Sequence, residues 1–361
     1  MQSKVLWDKI KNRILRKSDK VLGIDIGTGS LKIVELSFNN ERFVVKNIAI
    51  GDFPENLFED GKLVKVDEFT YILQQLVATS GFSSRDAVLA LGGKSIFIRE
   101  IAFPKMAEEE IREAIKWEME KYVPYAPDSY HYDFSIVGEV ENGMELKVLL
   151  VAAPKVNIDP IIAVVKNAGL KPVAIDGEAF ALYRTLENAE NSMIVDIGQF
   201  ASQLIIYQNG IPTVTRMIPI SGQRFTEAVM SALDLDETEA ELLKKRQKNL
   251  LPQVNGINDN TEIHDQMMMI VDELAREIRR TVEFYQIQNK HSSIEKIIIS
   301  GGGACLDNLG EQLKSILDLP IVLNSASGTI DYSPSFDPNY IKDVAPRLAV
   351  AIGLALRGGE V

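Results

Sequence analysis

The sequence predicts an α/β protein built as two similar lobes. Residues 21–36 (VLGIDIGTGSLKIVEL) read as a β-hairpin, two apolar runs joined by a tight Gly-Thr-Gly-Ser turn. Residues 193–207 (MIVDIGQFASQLIIY) repeat it in outline: apolar run, Asp-Ile-Gly, polar turn, apolar run. A chain of 361 residues also exceeds what one ordinary core accommodates.

The remaining elements follow from periodicity and punctuation. The first hairpin leads to a strand over 43–50 and a loop over 51–65. Residues 66–80 carry apolar side chains at helical spacing (Phe69, Ile72, Leu73, Leu76, Val77) and stop at Gly81. Residues 87–91 form a buried strand ended by Gly92-Gly93. Residues 95–103 alternate as a strand does, with Ile96, Ile98, Ile101 and Phe103 on its apolar positions, and Pro104 ends it. Residues 108–123 form a helix whose first turn holds Glu108, Glu109 and Glu110, complementing the dipole; Pro124 stops it. A Tyr- and Pro-rich loop leads to strands over 132–140 and 146–154, turning at Glu141-Asn142-Gly143. A helix over 156–168 is closed by Gly169, and a strand covers 171–175. Residues 95–175 thus read β-α-β-β-α-β, a unit large enough to be a subdomain.

A helix over 177–186 carries Glu178 in its first turn. After the second hairpin come a strand (212–220), a helical stretch (221–246), a polar loop (247–260) and a long amphipathic helix (265–288). A strand over 294–300 runs into Gly301-Gly302-Gly303. A helix over 306–317, a short strand at 321–323 and a Pro-bearing loop at 332–343 follow. The last helix, 347–356, presents Ala349, Ala351, Gly353 and Ala355, which permit close backbone packing.

Composition narrows the function. The chain is 46% hydrophobic and 25% charged, as globular proteins are, and no apolar run approaches the ~20 residues of a membrane helix. The first 20 residues are basic and lack the apolar stretch of a secretory signal. A single cysteine, Cys305, excludes an internal disulfide framework and points to a reducing compartment; beside a Gly triplet it reads as a small packing residue. The net charge of −12 argues against nucleic acid as a partner. Residues 1–20 run against that balance, with seven Lys/Arg and two Asp. Leu6, Ile10 and Ile14 recur there at helical spacing. That pattern fits a basic amphipathic helix on an anionic membrane surface or in a partner's groove, or a terminal helix packed on its own domain.

The turn of the first hairpin can direct backbone N–H groups and the Thr28 and Ser30 hydroxyls into one small space, which suits a phosphate, with Lys32 adding positive charge. Asp25 opposes a phosphate unless a divalent cation lies between them. An ordinary hairpin is the competing reading of this segment alone.

Two Asp-x-Gly hairpins followed by a strand–GGG–helix resemble the nucleotide-binding constellation of the actin/Hsp70/sugar-kinase superfamily. IDIGTGSLK (24–32) resembles its first phosphate loop, with Asp25, Gly27, Gly29 and Lys32 at matching positions. VDIG (195–198) resembles the second. IIISGGGACLDNL (297–309) is similar to the adenosine motif. EAELLK (239–244) is similar to the AExxK pattern of the bacterial branch, which places Glu241 and Lys244 near ribose and base. VAIDGEAF and RLAVAIGLALRG resemble the two inter-lobe connecting helices. The position of the 95–175 unit is similar to the insertion of FtsA and of the PilM family of type IV pilus assembly proteins. IAFPKMAEEEIREAIKWEMEKYVPY, YDFSIVG and the final AVAIGLALRG look like the PilM family.

The resemblance implies a two-lobed actin-like ATPase fold with an FtsA-like inserted βαββαβ subdomain. The expected division is a basic segment (1–20), a first lobe (21–94), the insert (95–175), connecting helices (176–190 and 345–361) and a second lobe (191–344). It implies Mg-ATP in the cleft. Gly27, Thr28, Gly29, Ser30, Lys32 and Gly198 would hold phosphates, and Asp25 and Asp196 would hold magnesium largely through water. Glu241, Lys244, Gly301, Gly302 and Gly303 would surround the nucleoside, and Glu178 would orient the attacking water. Gln199-Phe200 departs from the small residues common in the second loop, and a Phe in a phosphate cradle leaves less room, so slow hydrolysis is expected. The implied partners are the cytoplasmic tail of a PilN-like membrane protein, other pilus platform components and motor ATPases, at the inner face of the cytoplasmic membrane. An FtsA-like filament protein and a small-molecule kinase of the same superfamily are the competing readings. The kinase needs a general-base Asp in a polar pocket, and no clustered Asp/Asn/His set stands out.

Overall fold

The computed structural model describes residues 20–27, 29–39, 42–53, 57–59, 62–140, 143–247, 261–289, 292–326 and 330–358. The basic segment up to residue 19, Thr28 and the polar loop over 248–260 lie outside the described residues.

The described residues open with β1 (Lys20–Ile26), β2 (Ser30–Asn39) and β3 (Arg42–Asp52), an antiparallel meander. A short hairpin, β4 (Phe58–Glu59) and β5 (Lys62–Leu63), precedes α1 (Val66–Thr79), which buries Phe69, Leu73 and Val77. Strand β6 (Asp86–Leu91) then lies parallel to β1. The chain leaves the lobe through β7 (Phe97–Pro104), α2 (Glu108–Tyr122), β8 (Tyr130–Glu139) and β9 (Glu145–Pro154). It returns as α3 (Lys155–Asn167), β10 (Lys171–Gly177) and α4 (Glu178–Arg184).

The second lobe repeats the meander with β11 (Ser192–Ile197), β12 (Ser202–Gln208) and β13 (Ile211–Ile218). The helical stretch after it divides into α5 (Gly222–Leu233) and α6 (Glu237–Gln247), because Asp234 adopts a left-handed conformation and the Asp236 carboxylate accepts from the Glu239 N–H to start a new helix. Then come α7 (Thr261–Gln288), β14 (Lys296–Ser300), α8 (Leu309–Leu317), β15 (Ile321–Leu323) and β16 (Ile330–Tyr332). The chain ends in α9 (Pro338–Gly358), which begins inside the expected loop. Pro338 sits at its first position, where a missing N–H costs nothing.

The two sheets are laid out alike. In the first the order is β10-β6-β1-β2-β3-β16, and in the second β13-β12-β11-β14-β15. Each therefore has an antiparallel meander flanked by a parallel strand, β6 beside β1 and β14 beside β11. Helices α4 and α9 cross between the lobes, where the stripe of small residues lets backbones touch. A Cβ on Gly353 would lie 1.9 Å from the Ala181 carbonyl oxygen, and one on Gly23 only 1.8 Å from that of Ala351.

The inserted unit has the expected element order but a different extent. Its own sheet, β7-β9-β8, takes residues 97–154 and encloses a separate core of Ile101, Phe103, Ile111, Ile115, Met119, Val148 and Leu150. The last helix and strand of the 95–175 unit belong in space to the first lobe. Ile158, Ile161, Val164 and Val165 of α3 join the core of Leu22, Phe69 and Leu73, and β10 pairs with β6. Among the described residues no helix is long and apolar enough to cross a membrane.

Candidate functional site

A cavity of about 380 Å³ opens between the lobes. The first hairpin contributes Asp25, Gly27, Gly29, Ser30 and Lys32, and the second Asp196 and Gly198. Glu178 enters from the first position of α4, Glu241 and Lys244 from α6, and Gly301, Gly302 and Gly303 from the end of β14. Every described candidate residue lines this one space.

The hairpin turn is closed by a hydrogen bond from Gly27 N to the Ser30 carbonyl at 3.1 Å. Asp25 and Lys32 face each other across the β1–β2 register, with Nζ 2.9 Å from Oδ2. Both are largely buried, so this is a desolvated ion pair and not a surface one. Two further carboxylates lie in its field. Burial, and after it the charges of Asp25 and Asp196, push Glu178 up to about 8, against an opposing pull from Lys32. Burial, then the charge of Asp25, raises Asp196 to about 6, opposed by Lys32 and a hydrogen bond with Ser300. With Glu178 largely protonated at pH 7, Asp25 and Asp196 face the single Lys32 ammonium, and the surplus negative charge suits a cation. Among the described residues no three His, Cys, Asp or Glu side chains cluster closely enough to hold a metal ion by themselves. A divalent ion held here would have to keep several of its waters.

At the far end of the cavity Glu241 and Lys244 pair with each other. Lys244 also donates to the Gly222 carbonyl at 3.0 Å and to Thr226 Oγ1 at 2.7 Å, which fixes α6 on the start of α5. Burial acts to raise Glu241, but the hydrogen bonds from Lys244 and Thr226 outweigh it and hold the carboxyl below its usual range. Gly301 and Gly303 lie against the end of β11. A Cβ on the first would come within 2.6 Å of the Ile197 carbonyl oxygen, and one on the second within 2.2 Å of the Ile197 side chain. Gly302 alone of the three would take a Cβ without crowding, at ordinary contact distance, 3.8 Å from Arg347 of α9. Cys305 Sγ lies 3.4 Å from the Asp343 carbonyl oxygen, as a packing residue would.

The expected crowding by Phe200 does not occur. Phe200 is 48% exposed and is not among the cavity's lining residues. Gln199 enters instead. A Cβ on Gly29 would lie 1.8 Å from Gln199 Oε1, so this side chain bridges the two hairpin turns. Gln203 is a further wall residue that motif reasoning missed. It lies directly across the register from Asp196, as Lys32 does from Asp25. It is 4% exposed and its Oε1 has no hydrogen-bond partner. The signal was present: each residue stands seven positions after its hairpin's aspartate.

A ligand-sized cleft walled by two equivalent hairpins and closed by crossing helices defines an actin-like protein. Solved structures agree on the fold. EutJ of Carboxydothermus hydrogenoformans matches over 99% of both chains with TM-score 0.59 and 16% identity. MreB 5 of Spiroplasma citri bound to AMPPNP matches over 94% of this chain and 96% of its own, with TM-score 0.53 and 15% identity. A much stronger similarity is to the PilM-PilN type IV pilus biogenesis complex, with TM-score 0.80 and 28% identity over 96% of this chain and all of the matched one. The family described as type IV pilus assembly protein PilM matches residues 23–359, and the chain belongs to it. Cell division protein FtsA is more distant. The Escherichia coli (strain K12) protein is 22% identical over 94% of this chain and 90% of its own length. The match to FtsA of Bacillus subtilis (strain 168), at 23% identity, spans 64% of this chain and 59% of that protein.

Proposed function

We propose that this PilM-family protein holds Mg-ATP in the inter-lobe cavity and binds the cytoplasmic tail of a PilN-like membrane protein beside the insert. The observation that carries the nucleotide reading is the convergence of both Asp-x-Gly hairpins, Glu178 and the Gly301–Gly303 turn on one cavity with surplus negative charge. Asp25 and Asp196 would hold the cation through its waters, and the turn backbones at Gly27–Ser30 and Gly198 would lie against the phosphates, with the Gly27 and Gly198 N–H groups themselves donating to the Ser30 and Ala201 carbonyls. Lys32 serves two tasks there, neutralising Asp25 and presenting positive charge to a phosphate. The tail reading rests on the full-length likeness to a PilM in complex with PilN. The protein would work at the inner face of the cytoplasmic membrane, with further platform components and motor ATPases as neighbours.

Hydrolysis is slow in this reading, for a reason other than crowding. In the nucleotide-free cleft, burial and the charges of Asp25 and Asp196 raise the Glu178 carboxyl to about 8, so it becomes a proton acceptor for water only once a cation beside Asp25 and Asp196 lowers it. Nucleotide then acts chiefly as a conformational ligand. Calorimetry of the full chain with a synthetic PilN-like tail peptide, with and without Mg-ATP, tests both halves. The expected result is peptide binding whose Kd shifts when Mg-ATP is present. No peptide binding in either condition removes the tail reading, and no heat on adding Mg-ATP alone removes the nucleotide reading.

A further inference from the structure

The inserted sheet is entered through one short passage. Strand β6 ends at Leu91, and Gly92, Gly93 and a single 3₁₀ turn (Gly93–Ser95) lead to β7. The turn is closed by Ser95 N donating to the Gly92 carbonyl at 3.0 Å. The way out is β9 into α3, and α3 is anchored in the first lobe's core. Any rocking of the insert must therefore be absorbed near Gly92–Gly93.

Both glycines are touched by residues of the cleft. A Cβ on Gly92 would fall 1.6 Å from Glu178 Oε2, so this backbone lies directly on the carboxyl that looks into the nucleotide cavity. Gly93 has φ of +55°, which an L side chain rarely adopts, and faces Met217 Sδ, with 3.6 Å to a would-be Cβ. Met217 belongs to β13 of the second lobe and also lines the nucleotide cavity. Behind Glu178 lies a second cavity of about 330 Å³, bounded by Leu91, Ile96 and Ile98 on one side and by Pro212–Thr215 of β13 on the other. It leaves room between the root of the insert and the second lobe. Among the described residues no hydrogen bond or ion pair holds the Glu178 carboxyl. It is wedged between the ligand space and Gly92, with the second cavity as its free direction.

Resting on the nucleotide reading above, we propose that Gly92–Gly93 is a joint through which Glu178 and Met217 pass the occupancy of the cleft to the inserted sheet, and so to the surface beside it. A cation and phosphates entering the first cavity change the position Glu178 can hold. Glu178 moves only by shifting Gly92 or by entering the space behind it. Closure of the second lobe carries Met217 against Gly93. Either motion tilts β7.

The test is amide hydrogen exchange on the full chain, with and without magnesium and a non-hydrolysable ATP analogue, read on Phe97–Pro104 and Glu108–Tyr122. Exchange there is expected to change at least threefold in the wild type when the analogue binds. Gly92→Ala drives a methyl into the Glu178 carboxyl. It is expected to shift resting exchange of Phe97–Pro104 and to abolish the response, while calorimetry still detects the analogue. Adding Glu178→Ala removes the collision and returns resting exchange to the wild-type value without restoring the response, which general destabilisation would not do. Gly93→Ala, whose methyl meets Met217 at ordinary contact distance but strains the left-handed backbone there, is expected to blunt the response. Should the analogue bind and protect the β1–β2 amides while the insert stays unchanged, the joint is disproved and the nucleotide site stands. A Gly92→Ala protein that responds as the wild type does also overturns the joint. Absence of analogue binding by calorimetry removes the nucleotide reading and this inference together.

Discussion

The hairpins β1–β2 and β11–β12 are the same device with one exchanged part. Each places an aspartate at the penultimate position of its first strand, and each sets one residue directly across the register from it. In the first hairpin that residue is Lys32, which pairs with Asp25 at 2.9 Å. In the second it is Gln203, which offers no charge. Asp196 is correspondingly raised to about 6, with burial as the main cause. The duplicated fold thus gives matched positions, and a single residue decides which aspartate carries its own counter-charge. Lys32 lowers both Asp196 and Glu178 from across the cleft, but neither has a lysine set directly against it as Asp25 has.

Removing Lys32 should be the most damaging way to break this comparison. Lys32→Ala leaves Asp25 buried without its partner and adds an unbalanced charge beside Asp196 and Glu178. A loss of about 3–5 kcal/mol is expected, read as a lower urea midpoint at pH 7. Gln203→Ala removes no counter-charge and should cost only about 1–2 kcal/mol through lost packing. Equal losses at the two positions would show that the hairpins are held alike after all.

The next effect is one of pH. A carboxyl whose folded pKa is raised binds its proton more tightly folded than unfolded, so stability falls as pH climbs from the unfolded value to the folded one. For Glu178 that window runs from 4.5 to about 8, and for Asp196 from 3.8 to about 6. Without ligand, the protein should lose stability between pH 5 and pH 8. Glu178→Gln cannot ionise and should flatten most of that slope, gaining on the order of 3 kcal/mol over the wild type at pH 8. Denaturation midpoints of both proteins across that range decide it; parallel slopes would mean that Glu178 is ionised at neutral pH.

Much of this arrangement was legible in the residues. The hairpins announced themselves by an Asp-Ile-Gly flanked by apolar runs, and the close crossing at Gly353 by the Ala/Gly stripe of the last helix. Other features depended on what tertiary structure placed opposite them. The spacing of Ile158, Ile161, Val164 and Val165 shows that α3 has a buried face, yet it does not say which core receives it, so the insert read longer than its own sheet is. Phe200 looked like an obstruction because position alone does not tell which way a turn throws a side chain; Gln199 turns in and Phe200 turns out. The GGG run resembled a nucleoside contact and all three glycines line the cavity, but the run itself does not tell that Gly301 and Gly303 also pack on Ile197. Gln203 was recoverable by counting seven residues from Asp196, but a glutamine carries no motif of its own.

The smallest effect is the most specific to the exchanged residue. Gln203→Lys would copy the first hairpin's pairing into the second. Cross-strand neighbours of this kind have Cβ atoms ~5 Å apart, so the new ammonium can reach Asp196 as Lys32 reaches Asp25. The unpartnered Gln203 Oε1 is lost in the exchange, which lowers the cost of burying the longer side chain. An opposite charge at that range should bring the Asp196 midpoint down by about 1–2 units, measurable by carboxyl ¹³C NMR titration. The same ammonium would stand where the surplus negative charge favours a cation, so magnesium-dependent binding of an ATP analogue should weaken while any magnesium-independent binding is kept. If Asp196 still titrates near 6 in Gln203→Lys, its raised value comes from burial and the Asp25 charge, and the residue across the strand is not what distinguishes the two hairpins.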